Sequence, residues 1–156
     1  LHTNDAPGAI TRLMDMGIEP FLVSSSIVGV LAQRLIRRVC STCAENVVAT
    51  DEMIRSADLT LDMLANQYGA TNPTLRRPKG CNDCRFTGYR GRSAIHEMMV
   101  VSDEIRALIL KGTDAGTIRR QAVKEGMLSL RDSAIQKLLK GDTSLEEIIR
   151  MTQLEN

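Results

Sequence analysis

Over the last third of the chain, apolar residues recur at spacings of three and four; each run follows a capping residue, and the first three end at a glycine. Ser102 predicts the start of a helix that turns Ile105, Leu108 and Ile109 inward and stops at Gly112. Thr113 or Asp114 opens a second, through Ile118, Ala122 and Val123 to Gly126. Ser129 with Asp132 reads as a capping box before Leu130, Ile135, Leu138 and Leu139, with a stop at Gly141. Ser144 with Glu147 reads as another, before Leu145, Ile148 and Ile149. Four short helices with sharp stops predict a small bundle.

The front of the chain carries a similar signal. Asn4 or Asp5 predicts a cap, Pro7 fits a first turn, and Ala6, Ala9, Ile10, Leu13 and Met14 form an apolar stripe ended by Gly17. A second helix is expected from Ser24 or Ser25 to about Gln33. The run Leu35 to Val39 fits either a strand or a continued helix. The stretch 44–80 reads as helix and loop. Thr50 is expected to cap a turn bearing Asp51 and Glu52, and Thr60 a helix carrying Leu61, Leu64 and Tyr68 before Gly69. A loop is expected over 72–79, where two prolines sit among Arg76, Arg77 and Lys79. Tyr89 to Val101 predicts a pair of strands. The expected class is α/β and mostly helical.

Composition narrows the function classes. A chain of 156 residues makes one or two small domains. Its net charge of +1 is not that of a strong polyanion binder. No Trp, two Tyr and two Phe are a poor supply of stacking platforms for single-stranded nucleic acid. The most apolar stretch, Phe21 to Ala32, is too short to span a bilayer and contains three serines.

The cysteines change the picture most. All four fall in two matched pairs, Cys40-Ser-Thr-Cys43 and Cys81-Asn-Asp-Cys84. Two residues between sulfurs let a tight turn aim both at one ion, and two such knuckles supply the four thiolates of a tetrahedral zinc site. With every position filled by protein, the metal is expected to be structural. An iron–sulfur cluster, two disulfides or free thiols are the alternatives. Gly80 and Gly88 flank the second knuckle and suit a backbone that must bend around a metal.

Three segments, taken in order, resemble one family. They are Leu1-His2-Thr3-Asn4-Asp5-Ala6; Leu31-Ala32-Gln33-Arg34-Leu35 leading into the first knuckle; and the second knuckle followed by Thr87-Gly88-Tyr89-Arg90-Gly91-Arg92 and Ile95-His96-Glu97. Together they resemble the C-terminal part of type II secretion ATPases and type IV pilus assembly ATPases, over essentially the whole chain. The resemblance implies a RecA-like P-loop motor, hexameric, at the cytoplasmic face of the inner membrane, working with inner-membrane secretion-platform proteins. ATP and Mg²⁺ would be cofactors of the parent, besides structural Zn²⁺ on Cys40, Cys43, Cys81 and Cys84. His2 falls on a "His box" histidine near the terminal phosphate, and Thr3 and Asn4 complete that box. Arg92 resembles an arginine that reaches back toward the nucleotide.

The expected domains are 1–39 as the trailing edge of the RecA-like domain, 40–88 as the zinc subdomain, and 89–156 as short strands with a C-terminal helical domain. No G-x-x-x-x-G-K-[ST] phosphate loop occurs in the sequence, and Walker B is absent too. The chain therefore reads as a fragment not expected to hydrolyse ATP alone, without a membrane span or a nucleic-acid partner. A zinc-ribbon nucleic-acid or adaptor module with a helical tail is the alternative, motivated by basic residues near both knuckles. Among these, Arg34, Arg37, Arg38, Arg90 and Arg92 fit either a salt-bridged face or phosphate neutralisation. His96 reads as a structural hydrogen-bonding group.

Overall fold

In chain order the elements of the computed structural model, which describes residues 3–153, are α1 (Ala6–Asp15), α2 (Pro20–Ser26), β1 (Gly29–Val39), β2 (Glu45–Val48), α3 (Asp51–Ile54), α4 (Leu61–Tyr68), β3 (Thr74–Arg77), β4 (Tyr89–Val100), α5 (Asp103–Leu110), α6 (Ala115–Lys124), α7 (Leu130–Leu139) and α8 (Leu145–Gln153). The class is α/β, with helices dominant. Several helices start where a side chain can satisfy an otherwise orphaned N–H. Asp5 accepts from Gly8 N at 2.6 Å, Thr50 from Met53 N at 3.4 Å and Thr60 from Met63 N at 3.1 Å. Ser102 accepts from Ile105 N at 3.1 Å and Asp114 from Thr117 N at 3.0 Å.

Three expectations are corrected. The second helix begins earlier, at Pro20, whose fixed φ suits a first helical position, and it ends at Ser26. The residues from Gly29 on form β1 instead, which runs without a break through Val39. Tyr89 to Val100 is one long strand and not a pair; its partner is β1. The stretch 44–80 holds a second, antiparallel pair, β2 with β3, in the register Glu45↔Arg77 to Val48↔Thr74.

Contacts divide the chain into two units, 1–34 with 96–130 and 35–95 with 131–156. In the first, α1, α2, α5 and α6 pool their apolar stripes. Ala6, Ile10, Val23, Ile105, Ile109, Ile118 and Ala122 close over Met99 and Val101 in one cluster. Each fully buried isoleucine there contributes roughly 1.5–3 kcal/mol relative to exposure. The Arg106 guanidinium on α5 bonds the carbonyl of Ser24 at the end of α2.

In the second unit, α7 buries Ala134, Ile135 and Leu138, α8 buries Ile148 and Met151, and the segment between β2 and β3 buries Ile54, Leu59 and Leu64. Tyr68 at the end of α4 donates its hydroxyl proton to Asp132 on α7 at 2.5 Å. Arg131 bonds the carbonyls of Ala57 and Asp58. Among the described residues, no helix is long and apolar enough to cross a membrane.

Candidate functional site

The long gap between the knuckles is closed by a ladder. Glu45 lies two residues after Cys43, Arg77 lies four before Cys81, and the two face each other across β2 and β3. The antiparallel pairing thus returns the chain to the first knuckle at the point where the second must begin. Glu45 also takes Arg77 at 3.1 Å and Lys79 at 2.7 Å, exposed pairs that fix local geometry more than they stabilise. The hydrogen bonds from Lys79 and Arg77, helped by their charges, hold the Glu45 carboxyl below its usual range.

The knuckles are tied by a hydrogen bond from Cys40 N to the Gly88 carbonyl at 2.9 Å. Within the second, Phe86 N donates to the Cys81 carbonyl at 2.8 Å and Arg85 N to that of Asn82 at 3.1 Å. This tight turn places Arg85 and Phe86 in the left-handed region, at φ 52° and 61°. The Arg76 guanidinium reaches the carbonyls of Ser41 and Ala44 beside the first knuckle.

All four sulfurs converge, each within 4.8 Å of the others. Cys40 to Cys81 is 3.9 Å, Cys43 to Cys84 is 3.8 Å and Cys81 to Cys84 is 3.8 Å. A disulfide would need about 2.0 Å. A tetrahedron with metal–sulfur bonds of ~2.3 Å has edges of ~3.8 Å. The residues therefore fit a four-thiolate metal site and could hold an ion.

The backbone prepares the sulfurs for that role. Gly80 N donates to Cys43 Sγ at 3.3 Å, and Cys81 N and Gly88 N donate to Cys84 Sγ at 3.2 Å each. Burial raises the Cys84 thiol, but the amides of Cys81 and Gly88 together with the neighbouring Cys81 and Cys43 thiols outweigh it and bring it down to about 6, while burial and the bonds to Cys43 and Cys84 push Cys81 up to about 11. Amide donors aimed at sulfur stabilise thiolate, the form that binds metal.

Two carboxylate clusters escaped the sequence reading. In the first unit, Glu97 is 1 % exposed. It accepts from Ala6 N at 2.8 Å, from Leu130 N at 3.3 Å and from Arg119 at 3.5 Å. Arg119 also pairs with Asp5. One available signal was parity along β4: Glu97 falls between Ile95 and Met99 on the buried face. In the second unit Glu147, fully buried, takes both Arg37 and Arg150.

The other candidate residues are scattered. His2 lies outside the described residues. Thr3 and Asn4 precede α1, and the Asn4 carbonyl accepts from Arg34 at 3.2 Å. Arg37 belongs to the Glu147 cluster and lies 4.1 Å over the Tyr89 ring; Arg38 faces Asp142 at 3.7 Å. Arg90, Arg92 and His96 are exposed on β4.

A family model described as "Type II/IV secretion system protein" matches residues 1–150. The chain is 47 % identical over 152 residues to the type IV pilus assembly ATPase PilB of Thermus thermophilus, covering 97 % of this chain and 16 % of that one. It is 46 % identical over 155 residues to the type II secretion system protein E of Pseudomonas aeruginosa, covering 99 % and 29 %. With PilB of Myxococcus xanthus it shares 43 % over 152 residues, covering 97 % and 26 %. The chain spans less than a third of the length of the curated relatives it matches.

Proposed function

The chain belongs to the type II/IV secretion system protein family, and from that premise we propose that it is the C-terminal portion of a secretion ATPase that powers pseudopilus assembly and protein export. The observation that carries this is the match over residues 1–150, beside relatives named as ATPases at more than 40 % identity. In this reading the parent is a RecA-like hexamer that binds ATP and Mg²⁺ through segments outside this chain. It works in the cytoplasm against inner-membrane platform proteins. His2 senses nucleotide, and Arg92, solvent-facing on β4, is free to reach it.

Zinc is the ion for the four sulfurs, because an all-thiolate tetrahedron with no open position is the structural zinc pattern. When bound it would supply four bonds that tie the two knuckles together beside the unit's own hydrophobic core. The chain's own part is to converge Cys40, Cys43, Cys81 and Cys84 and to aim the amides of Gly80, Cys81 and Gly88 at sulfur. The domain boundaries we assign are 1–39, 40–88 and 89–156.

The test is ATP hydrolysis by the full-length protein, beside the isolated 156-residue chain. Turnover is expected only in the former and is lost when His2 is replaced by Ala. A full-length protein that neither binds nor hydrolyses ATP overturns the proposal.

A further inference from the structure

We propose that Arg119 is a positioning residue: it holds the segment Thr3–Asn4–Asp5 in place ahead of α1 and so links α6 to the nucleotide. The inference rests on the ATPase reading above and names a residue outside the motifs that suggested it.

The geometry is a chain of charges that starts on α6 and ends at the first turn of α1. Arg119 meets two carboxylates, Asp5 and Glu97. Glu97, buried, holds the first helical amide, Ala6 N, at 2.8 Å. Asp5 divides its carboxylate, giving one oxygen to Gly8 N at 2.6 Å and the other to Arg119. The Asn4 carbonyl is held separately by Arg34 at 3.2 Å. The backbone from Asn4 to Gly8 is thus pinned at three points, and the carboxylates that hold two of them, Glu97 and Asp5, both meet one guanidinium.

The charge count explains why Arg119 matters more than an ordinary surface pairing. Two acids face one cation, and the positive end of α1 supplies the remaining compensation. Without Arg119, two like charges crowd the same helix terminus, and the buried one has lost its ionic partner. The relief open to the cluster is for Asp5, the more exposed acid, to swing away. That movement drags Asn4 and Thr3 with it.

These residues are placed where movement would be felt. Thr3, Asn4 and Asp5 line two clefts, one of about 380 Å³ beside Gly8 and Thr11, the other of about 300 Å³ beside Val30 and Gln33. A small displacement of a group beside a reacting phosphate costs rate steeply, because the geometry of attack is lost before affinity is.

The experiment uses the full-length protein and four variants: Arg119→Gln, Arg119→Lys, Asp5→Asn and the Asp5→Asn/Arg119→Gln double. Arg120→Gln, whose guanidinium bonds Thr117 on its own helix and no other side chain among the described residues, is the control. We expect Arg119→Gln to lower kcat about tenfold or more, with KM changed less than about threefold. Arg119→Lys should recover part of the loss, and the double variant should cost less than the sum of the singles. Amide exchange, read without nucleotide, should rise in Arg119→Gln at Ala6 and Gly8 and stay unchanged across α5.

Arg119→Gln with wild-type kcat, or with loosened exchange spread evenly over the first unit, overturns the inference and leaves the ATPase reading standing. A wild-type protein without ATP turnover ends that reading and this inference with it.

Discussion

Glu147, with no exposed side-chain surface, lies 2.6 Å from the Arg37 guanidinium and also accepts the backbone N–H of Arg37 at 2.8 Å. The same carboxylate takes Arg150 Nε at 2.8 Å. Around it, Val39 N donates to the Asp142 carbonyl, Thr143 Oγ1 to the Arg37 carbonyl, and Tyr89 shares a 2.7 Å hydrogen bond with Ser144. Asp142, Thr143 and Glu147 therefore stitch the entry to α8 to Arg37 and Val39 at one end of β1, and Ser144 ties it to Tyr89 at the start of β4.

Replacing Glu147 by Gln keeps the shape and removes the charge. Both arginines are about half exposed and recover solvation, so the loss is smaller than for a fully buried pair. We expect about 2–3 kcal/mol less stability in urea unfolding. A change below about 0.5 kcal/mol would show the cluster to be incidental.

Acid should act on the same group. Burial opposes the charge on Glu147, yet the bonds from Arg150 and Arg37 prevail and hold its carboxyl at about 2, below the ordinary 4.5. A depressed carboxylate contributes stability that is present above the unfolded value and lost as pH falls. Wild-type stability should therefore decline from about pH 4.5 toward 2. The Gln variant should show a flatter profile there, measured by urea midpoints at each pH.

Metal removal should act on the second unit. Purification without added metal is expected to yield one zinc per chain. Chelation should loosen amide exchange around both knuckles, where the four ligands meet. Cobalt substitution should give the intense visible absorption of tetrahedral thiolate ligation. Cys84→Ser should lose that spectrum and lower the melting temperature. Protein with no metal and two sulfur–sulfur bonds would contradict the assignment.

Local chemistry explains which parts of this fold were legible. Asp5, Thr60 and Ser102 cap helices because their partners lie three residues on, inside any reading window. The cysteine spacing was equally local. The first half of β1 was read as helix to about Gln33, and Leu35 to Val39 fits either period, because the partner strand, β4, lies far along the chain. β2 and β3 escaped for the same reason. Glu147 was read as half of a capping box, and Ser144 does accept from Glu147 N at 3.4 Å. The carboxylate is engaged by Arg37, a residue at a sequence separation of 110. Sequence spacing cannot reveal a charge pair of that span.

The bend at the second knuckle offers a test of glycine chemistry. Gly88 has φ +77°, and an added Cβ would lie 2.5 Å from Pro78 Cβ. Gly91 has nearly the same φ, +76°, with nothing within 4 Å. Both Gly→Ala variants incur the left-handed penalty of about 1–2 kcal/mol. Only Gly88→Ala must also displace Pro78 and disturb the amide that donates to Cys84 Sγ. It should therefore weaken zinc binding in a competition titration, while Gly91→Ala leaves affinity unchanged. Equal affinities would mean that the knuckle absorbs the extra atom.

Tyr68 and Asp132 join α4 to α7 through a 2.5 Å hydrogen bond to a carboxylate. Burial raises the Tyr68 hydroxyl above its ordinary 10, and the Asp132 carboxylate raises it further. A group whose folded value is raised contributes stability that is present below the unfolded value and lost as pH rises above it. Tyr68→Phe should cost about 1.5–3 kcal/mol at neutral pH, the range for a hydrogen bond to a charged acceptor. Above about pH 10 the gap between wild type and variant should narrow, because Tyr68 ionises in the unfolded wild-type chain while the folded hydroxyl keeps its proton, a gain to the unfolded state that the Phe variant lacks. Urea midpoints from pH 7 to 11 measure both effects. A gap that stays constant across that range would mean that the hydroxyl remains protonated in the unfolded chain as well, and the linkage argument for this pair would fail.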